Sequence, residues 1–206
     1  DEGLNTGGMG AVAPNPYYTP ELAELCMKTI FLPSMEAMNA EGRTFKGCLY
    51  FGLMLTHAGP KVIEYNCRFG DPETQVVLPL LQSDLFTILR AVREQKLAET
   101  EVRFSQGAAA CIVLASGGYP QKYATGKTIH GLANGAVPQE DVVVYHAGTA
   151  REGDELVTAG GRVLGVCATA PTLQRALETA YAGANKISFE GGYKRKDIGQ
   201  RALKAL

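Results

Sequence analysis

The chain has 206 residues, 46% hydrophobic and 20% charged, with a formal net charge of −1; this suits one large or two small domains with a real core. The scattered, balanced charge argues against a nucleic-acid or membrane surface as the main partner, and no apolar run approaches the roughly 18 to 20 residues a bilayer span needs. The five cysteines, Cys26, Cys48, Cys67, Cys111 and Cys167, form no CxxC and mostly sit in apolar runs, so they are expected to be buried, reduced thiols of a cytoplasmic protein.

The chain opens on Asp1-Glu-Gly-Leu-Asn-Thr-Gly-Gly-Met-Gly10, a glycine-rich stretch without an initiator methionine, expected to continue a longer chain. Thr19-Pro20-Glu21 is a helix start: a hydroxyl at the cap, proline in the first turn, then an acid. Leu22, Leu25, Cys26 and Thr29 follow at helical spacing, Ile30 and Met35 extend the apolar face, and Pro33 is placed to kink or split the helix. Residues 46–55 and 61–67 read as two strands of a hairpin turning at Ala58-Gly59-Pro60. Asp71-Pro72-Glu73 repeats the cap-then-proline start, and Pro79 closes that short helix. Ser83-Asp84 caps another helix, with Leu85, Ile88, Leu89 and Val92 on one face. The polar stretch 96–106 predicts a domain boundary. Beyond it come candidate strands at 108–114, 142–145, 155–158 and 162–169, separated by Gly- and Pro-rich turns. One amphipathic helix, about 172–188, carries Leu173, Ala176, Leu177, Ala180, Tyr181, Ala184 and Ile187 inward. The whole reads as α+β.

The densest chemical signal is Glu64-Tyr-Asn66-Cys-Arg68. Alternate side chains of a strand share a face, so Glu64, Asn66 and Arg68 point one way and Ile63, Tyr65 and Cys67 point the other, into a core. A solvated strand face accounts for the alternation alone. It does not account for a carboxylate, an amide oxygen and a guanidinium in that order. The two oxygens are hard ligands suited to Mg²⁺, and the guanidinium can neutralise phosphate oxygens. The following Asp71-Pro72-Glu73 is either a capped turn or a helix N-terminus facing a ligand with hydroxyls or an amine. Asn5-Thr-Gly-Gly-Met-Gly10 is either an ordinary turn or a backbone nest for an anion. Gly126-Lys127-Thr128 lacks the upstream glycine of a Walker A loop and reads as a turn entering a strand.

Taken together, the opening loop, Gly52-Leu-Met54, the run Pro60-Lys-Val-Ile-Glu-Tyr-Asn-Cys-Arg-Phe-Gly-Asp-Pro-Glu-Thr-Gln75, Ser116-Gly-Gly-Tyr-Pro120, His146-Ala-Gly-Thr149, Gly160-Gly-Arg-Val-Leu164 and Lys196-Asp-Ile-Gly199 closely resemble the phosphoribosylamine–glycine ligase family. The resemblance covers essentially the whole chain; the alternatives are another ATP-grasp ligase or carboxylase, which lacks the run at 66–75 in this form, and a non-catalytic binding module that kept the fold, against which Glu64, Asn66 and Arg68 argue. It implies the second half of an ATP-grasp domain over residues 1–97, followed by a small mixed β-sheet and helix C-terminal domain over 106–206, similar to that of biotin carboxylase-like enzymes. It also implies a reaction, ATP-dependent ligation of glycine to phosphoribosylamine through glycyl phosphate, with Mg²⁺ or Mn²⁺ as cofactor and ATP as co-substrate. By position, Glu64 and Asn66 match the family's metal-binding pair, and Arg68 its phosphate- or substrate-contacting arginine, the candidate catalytic residue. Asn5, Thr6, Gly7, Gly8, Asp71 and Glu73 match the substrate-binding segments, while Asp1 and Gly10 are read as structural. Leu4 stands where the family has proline, and Tyr193 lies one place ahead of an expected aromatic, now Lys194. The partners implied are the three substrates and a missing N-terminal half of the same chain, without which this chain is expected to be inactive.

Overall fold

The apolar run at 108–115 becomes a strand buried at every position, and the larger part of the molecule is built around it. In the computed structural model, which describes residues 3–139 and 141–206, the elements in chain order are β1 (Gly10–Ala13), α1 (Pro20–Cys26), α2 (Leu32–Ala40), β2 (Tyr50–Thr56), β3 (Gly59–Asn66), α3 (Thr74–Val77), α4 (Leu85–Glu94), β4 (Ala108–Ala115), β5 (Val142–His146), β6 (Thr149–Glu152), β7 (Glu155–Thr158), β8 (Arg162–Ala170), α5 (Leu173–Ala184) and α6 (Gln200–Leu203). They group into two compact units. One comprises Asp1–Pro14, Asp71–Leu80 and Ser105–Leu206, the other Asn15–Gly70 and Leu81–Phe104.

In the first unit β1, β4, β8 and β5 lie side by side in that order, all antiparallel. Alternation along β4 divides its side chains between two buried faces. Ala108, Ala110, Ile112 and Leu114 join Leu164, Val166 and Ala168 against Leu173, Ala176, Leu177 and Ala180 of α5. Ala109, Cys111, Val113 and Ala115 join Cys167 on the other face, where Met9, Val76 and Leu80 cover them. Burial on both faces is why β4 and β8 read as continuous apolar runs. Thr172 caps α5, its hydroxyl accepting from the Arg175 amide at 3.3 Å. The helix stops at Ala184, short of the expected 188, because Ser188 pairs backbone to backbone with His130 instead. The short strands β1 and β6 and the single turn α6 are not anticipated by the sequence. Gly126-Lys127-Thr128 is the expected turn into extended chain: Thr128 bridges Val157.

In the second unit Thr19 caps α1, its hydroxyl accepting from the Leu22 amide. The expected split at Pro33 is present. A five-residue π turn, Met27–Phe31, separates α1 from α2, and the Leu32 amide donates five residues back to Met27. Proline cannot donate in the ordinary ladder; nearby, the hydroxyls of Thr29 and Ser34 donate to the carbonyls of Leu25 and Ile30. Of the expected apolar face only Cys26 is buried, and Leu25 is exposed. Asp84 caps α4, accepting from both the amide and the hydroxyl of Thr87 at 2.7 Å. Leu89, expected on the inner face of α4, is exposed, while Ala91 is buried.

Candidate active site

Glu64 and Asn66 sit on β3, paired antiparallel with β2 through Tyr50 opposite Asn66 and Gly52 opposite Glu64. The Asn66 amide nitrogen donates to Glu64 Oε1 at 3.0 Å, so the two share a face as the alternation requires. Gly52 makes room for this arrangement: a Cβ there would lie 2.8 Å from Glu64 Cγ. With the amide nitrogen spent on the carboxylate, the pair still offers Asn66 Oδ1 and Glu64 Oε2. These are hard oxygen donors of the kind Mg²⁺ takes alongside phosphate oxygens and water, and the residues present fit that ion. No group of three or more His, Cys, Asp or Glu among the described residues could hold a metal by itself. Arg68 is not joined to the pair; its guanidinium donates to the Phe69 carbonyl at 2.7 Å.

The opposite face of β3 departs from the expected core. After Gly52 the ladder slips, pairing Leu53 with Val62 and leaving Ile63 as the extra residue of a bulge. A bulge breaks strict alternation, and Ile63 is 62% exposed. Tyr65 is also exposed, although its ring meets Phe51 edge-on at 5.2 Å and its hydroxyl lies 3.2 Å from that of Ser34. Cys67 is exposed rather than buried. With Val62 and Tyr65 it lines a groove of about 520 Å³ whose other wall includes Ser34 and Ala37 of α2.

A second group forms within the first unit. Arg162, the first residue of β8, donates from Nη1 to the Gly8 carbonyl at 3.1 Å, the Asp71 carbonyl at 2.9 Å and Asp71 Oδ1 at 3.3 Å. Its Nη2 lies 3.2 Å from Asp71 Oδ2. Gln75 adds a donor to Asp71 Oδ1 at 3.1 Å, and its own Oε1 is buried without a partner. The Gly7 amide donates to the Tyr119 hydroxyl at 2.9 Å. Crowding requires glycine at Gly8, where a Cβ would lie 2.3 Å from Pro72 Cδ; at Gly7 a Cβ would lie 2.9 Å from the Tyr119 hydroxyl, the end of a side chain. The structure therefore brings Gly7 and Gly8 together with Asp71. Thr6 lines a neighbouring groove of about 600 Å³ with Leu4, Met9, Tyr119, Pro120, Tyr193 and Arg195. Asn5 is exposed beside it in sequence, and Asp1 lies outside the described residues.

Asp71 is not the helix cap that the proline pattern suggests. The helix begins at Thr74 after Glu73, whose backbone carbonyl accepts from Val76 and Val77. The Asp71 carboxylate is held by Arg162 and Gln75 instead, charge-assisted contacts that outcompete a cap. The C-terminal segment reaches this loop despite the shifted aromatic: the Tyr193 hydroxyl donates to the Tyr119 carbonyl at 2.8 Å. Arg195 and Asp197 form a two-pronged ion pair, which holds the Asp197 carboxyl down at about 2. The Tyr181 hydroxyl staples that segment, accepting from Ile198 and donating to the Arg195 carbonyl, both at 3.0 Å. Sequence reasoning missed Arg162, Tyr119 and the clearance at Gly52. The available signal for Arg162 was a lone charge heading an otherwise apolar strand.

The profile of "Phosphoribosylglycinamide synthetase, ATP-grasp (A) domain" matches residues 1–74, and that of "Phosphoribosylglycinamide synthetase, C domain" matches residues 109–201. The phosphoribosylamine–glycine ligase of Chlorobaculum tepidum is 50% identical over 205 residues, 98% of this chain and 48% of that protein. The solved phosphoribosylamine–glycine ligase of Thermotoga maritima superposes with a TM-score of 0.80 at 36% identity, over 96% of this chain and 48% of that one. The biotin carboxylase subunit of pyruvate carboxylase shares the fold alone, with a TM-score of 0.61 at 17% identity over 96% of this chain and 47% of that one. The chain spans about half the length of the curated relatives it matches. With both profiles in chain order, half of all residues identical to a named relative and the ATP-grasp fold in common, the chain belongs to the phosphoribosylglycinamide synthetase family, also called the phosphoribosylamine–glycine ligases.

Proposed function

We propose that the ligase containing this chain joins glycine to 5-phosphoribosylamine at the expense of ATP, in the cytoplasm, as a step of purine synthesis. A carboxylate oxygen of glycine attacks the γ-phosphorus of ATP, and ADP leaves with the electron pair of the broken P–O bond. The amine nitrogen of phosphoribosylamine then attacks the carbonyl carbon of glycyl phosphate, inorganic phosphate departs, and the nitrogen loses a proton. The product is glycinamide ribonucleotide. Activation is needed because a carboxylate is a poor electrophile, and the mixed anhydride supplies a good leaving group.

Glu64 Oε2 and Asn66 Oδ1 would hold the Mg²⁺ or Mn²⁺, which when bound screens the charge on the phosphates. Gly52 keeps space for the Glu64 carboxylate. Arg68 neutralises phosphate oxygens once its guanidinium leaves the Phe69 carbonyl. Asn5, Thr6, Gly7, Gly8, Asp71 and Glu73 form a wall of the glycine and phosphoribosylamine pocket. The family's division of the chain is proposed to run 1–97 for the ATP-grasp part and 106–206 for the C-terminal domain. The chain alone is expected to be inactive, since it supplies only the metal pair, Arg68 and this wall.

The observation carrying the reading is the Glu64–Asn66 pair, two hard donors in contact on one strand face opposite a clearing glycine. The test is glycinamide ribonucleotide formation by the full-length ligase, with and without Mg²⁺, in wild type and Glu64→Ala. Metal-dependent product that falls by roughly 100-fold in the variant is expected, the upper end of what losing even a residue that only orients a ligand costs. Product at the wild-type rate in Glu64→Ala would refute the assignment.

A further inference from the structure

We infer that Arg162 is the positioning residue of the substrate wall, fixing the glycine loop to the Asp71 turn so that the pocket for glycine and phosphoribosylamine is preformed; this rests on the function proposed above. One guanidinium reaches two backbone carbonyls and one carboxylate, on segments 154 and 91 residues away in sequence. Its side chain is only 23% exposed, and it heads a strand whose next six residues are buried, so its root is fixed by the sheet. At its far end the loop is pinned by Met9, which is buried and whose carbonyl accepts from the Val113 amide at 3.1 Å; the two glycines before it rely on other ties. Gly7 and Gly8 carry no side chains, and among the described residues the side-chain tie to their amides is the Tyr119 hydroxyl on Gly7.

The same contacts reassign Asp71. With Arg162 on both of its oxygens and Gln75 on one, its carboxylate is neutralised in place and does not serve as a free counter-ion for a substrate amine. It acts through the loop instead, as the anchor that Arg162 grips. Glu73 and the polar residues Asn5 and Thr6 are then what the wall presents to ligand. Lysine cannot fully substitute, because its single nitrogen cannot stand both where Nη1 meets the Gly8 and Asp71 oxygens and where Nη2 meets Asp71 Oδ2.

The experiment uses the full-length ligase in wild type, Arg162→Ala, Arg162→Lys, Asp71→Ala and the double variant. Hydrogen exchange of peptides covering residues 4–9 and 71–75 is read beside KM and kcat for each substrate. In Arg162→Ala, exchange in both peptides rises at least tenfold while β4 and α5 keep their protection. KM for glycine or phosphoribosylamine rises roughly 10- to 100-fold, the scale of lost charge-assisted hydrogen bonds, and KM for ATP stays within about threefold. Arg162→Lys recovers less than a tenth of the loss, and the double variant is no worse than Arg162→Ala alone, as expected of one coupled unit. Unchanged exchange, full rescue by lysine, or a drop spread equally over all substrates with loss of protection in α5 would overturn the inference. If the wild-type ligase makes no glycinamide ribonucleotide, the proposed function fails, and the exchange arm still decides whether Arg162 ties the two segments.

Discussion

Gly8 and Gly52 are held by the same kind of constraint at two different places. Each faces a neighbour too close for a methyl group, Pro72 Cδ at 2.3 Å in one case and Glu64 Cγ at 2.8 Å in the other. The consequences differ because the neighbours differ. Pro72 is a ring in a tight turn and cannot swing away, so Gly8→Ala is expected to destabilise by about 1–3 kcal/mol, the usual cost of overpacking, read as a fall in thermal midpoint with faster exchange at residues 4–9. Glu64 is a flexible side chain that can rotate. Gly52→Ala is therefore expected to leave the midpoint nearly unchanged but raise the Mg²⁺ concentration for half-maximal ligase activity roughly tenfold, as displaced metal ligands do. A Gly52→Ala enzyme with an unaltered metal requirement would show that Glu64 is not held where the metal binds.

At the scale of elements, two of the three expected caps were legible, Asp71 being drawn off by Arg162, and the long-range pairings were not. Thr19 and Asp84 accept the backbone hydrogen bonds expected of them, because a cap is a local interaction; Thr172, read only as the start of its helix, accepts one too. Thr172→Ala should cost about 1 kcal/mol, seen as a shift of the denaturant midpoint at constant slope. The hairpin was legible too, and so was the shared face of Glu64 and Asn66. The bulge at Ile63 was hidden, since a period of two assumes that no residue is inserted, and one insertion moves Ile63 out of the expected core. Strand β1 was hidden for a different reason. It is four residues long, begins with glycine, and finds its partner about a hundred residues later, Gly10 opposite Ile112. Nothing local marks it. Arg162 belongs to the same class: its acceptors on Gly8 and Asp71 are set by tertiary packing, which periodicity does not report.

Over the whole molecule, burial sorts the thiols. Cys26, Cys111 and Cys167 are buried, whereas Cys67 is exposed. Cys111 and Cys167 face each other across β4 and β8, and their mutual hydrogen bond together with burial pushes the Cys167 thiol far up, away from the reactive thiolate. Native-state alkylation should mark Cys67 first and reach Cys111 and Cys167 only with global unfolding; early labelling of Cys167 would contradict the packing. Acid should weaken the C-terminal loop. The Asp197 carboxyl is lowered from 3.8 to about 2 by Arg195, so the unfolded chain takes up its proton first. The stabilisation is then complete above pH ~4 and is lost as pH falls toward ~2. Because both partners are about half exposed, the effect is at most ~0.5 kcal/mol, and Asp197→Asn should flatten the acid limb of the stability curve by no more than that. A larger consequence follows from Met9, Val76 and Leu80 covering the face of β4 and β8 that carries Ala109, Cys111, Val113 and Cys167. A fragment of residues 105–206 expressed alone would keep α5 but leave this second face bare and the β4 edge unpaired where β1 belongs, an invitation to edge-to-edge association. Such a fragment should elute as oligomers on gel filtration, and a peptide of residues 3–14 should bind it and reduce them. Within its unit, the stretch 105–206 thus borrows its insulation from segments up to a hundred residues earlier in the chain, and those segments must already be synthesised and waiting when the last strand is made.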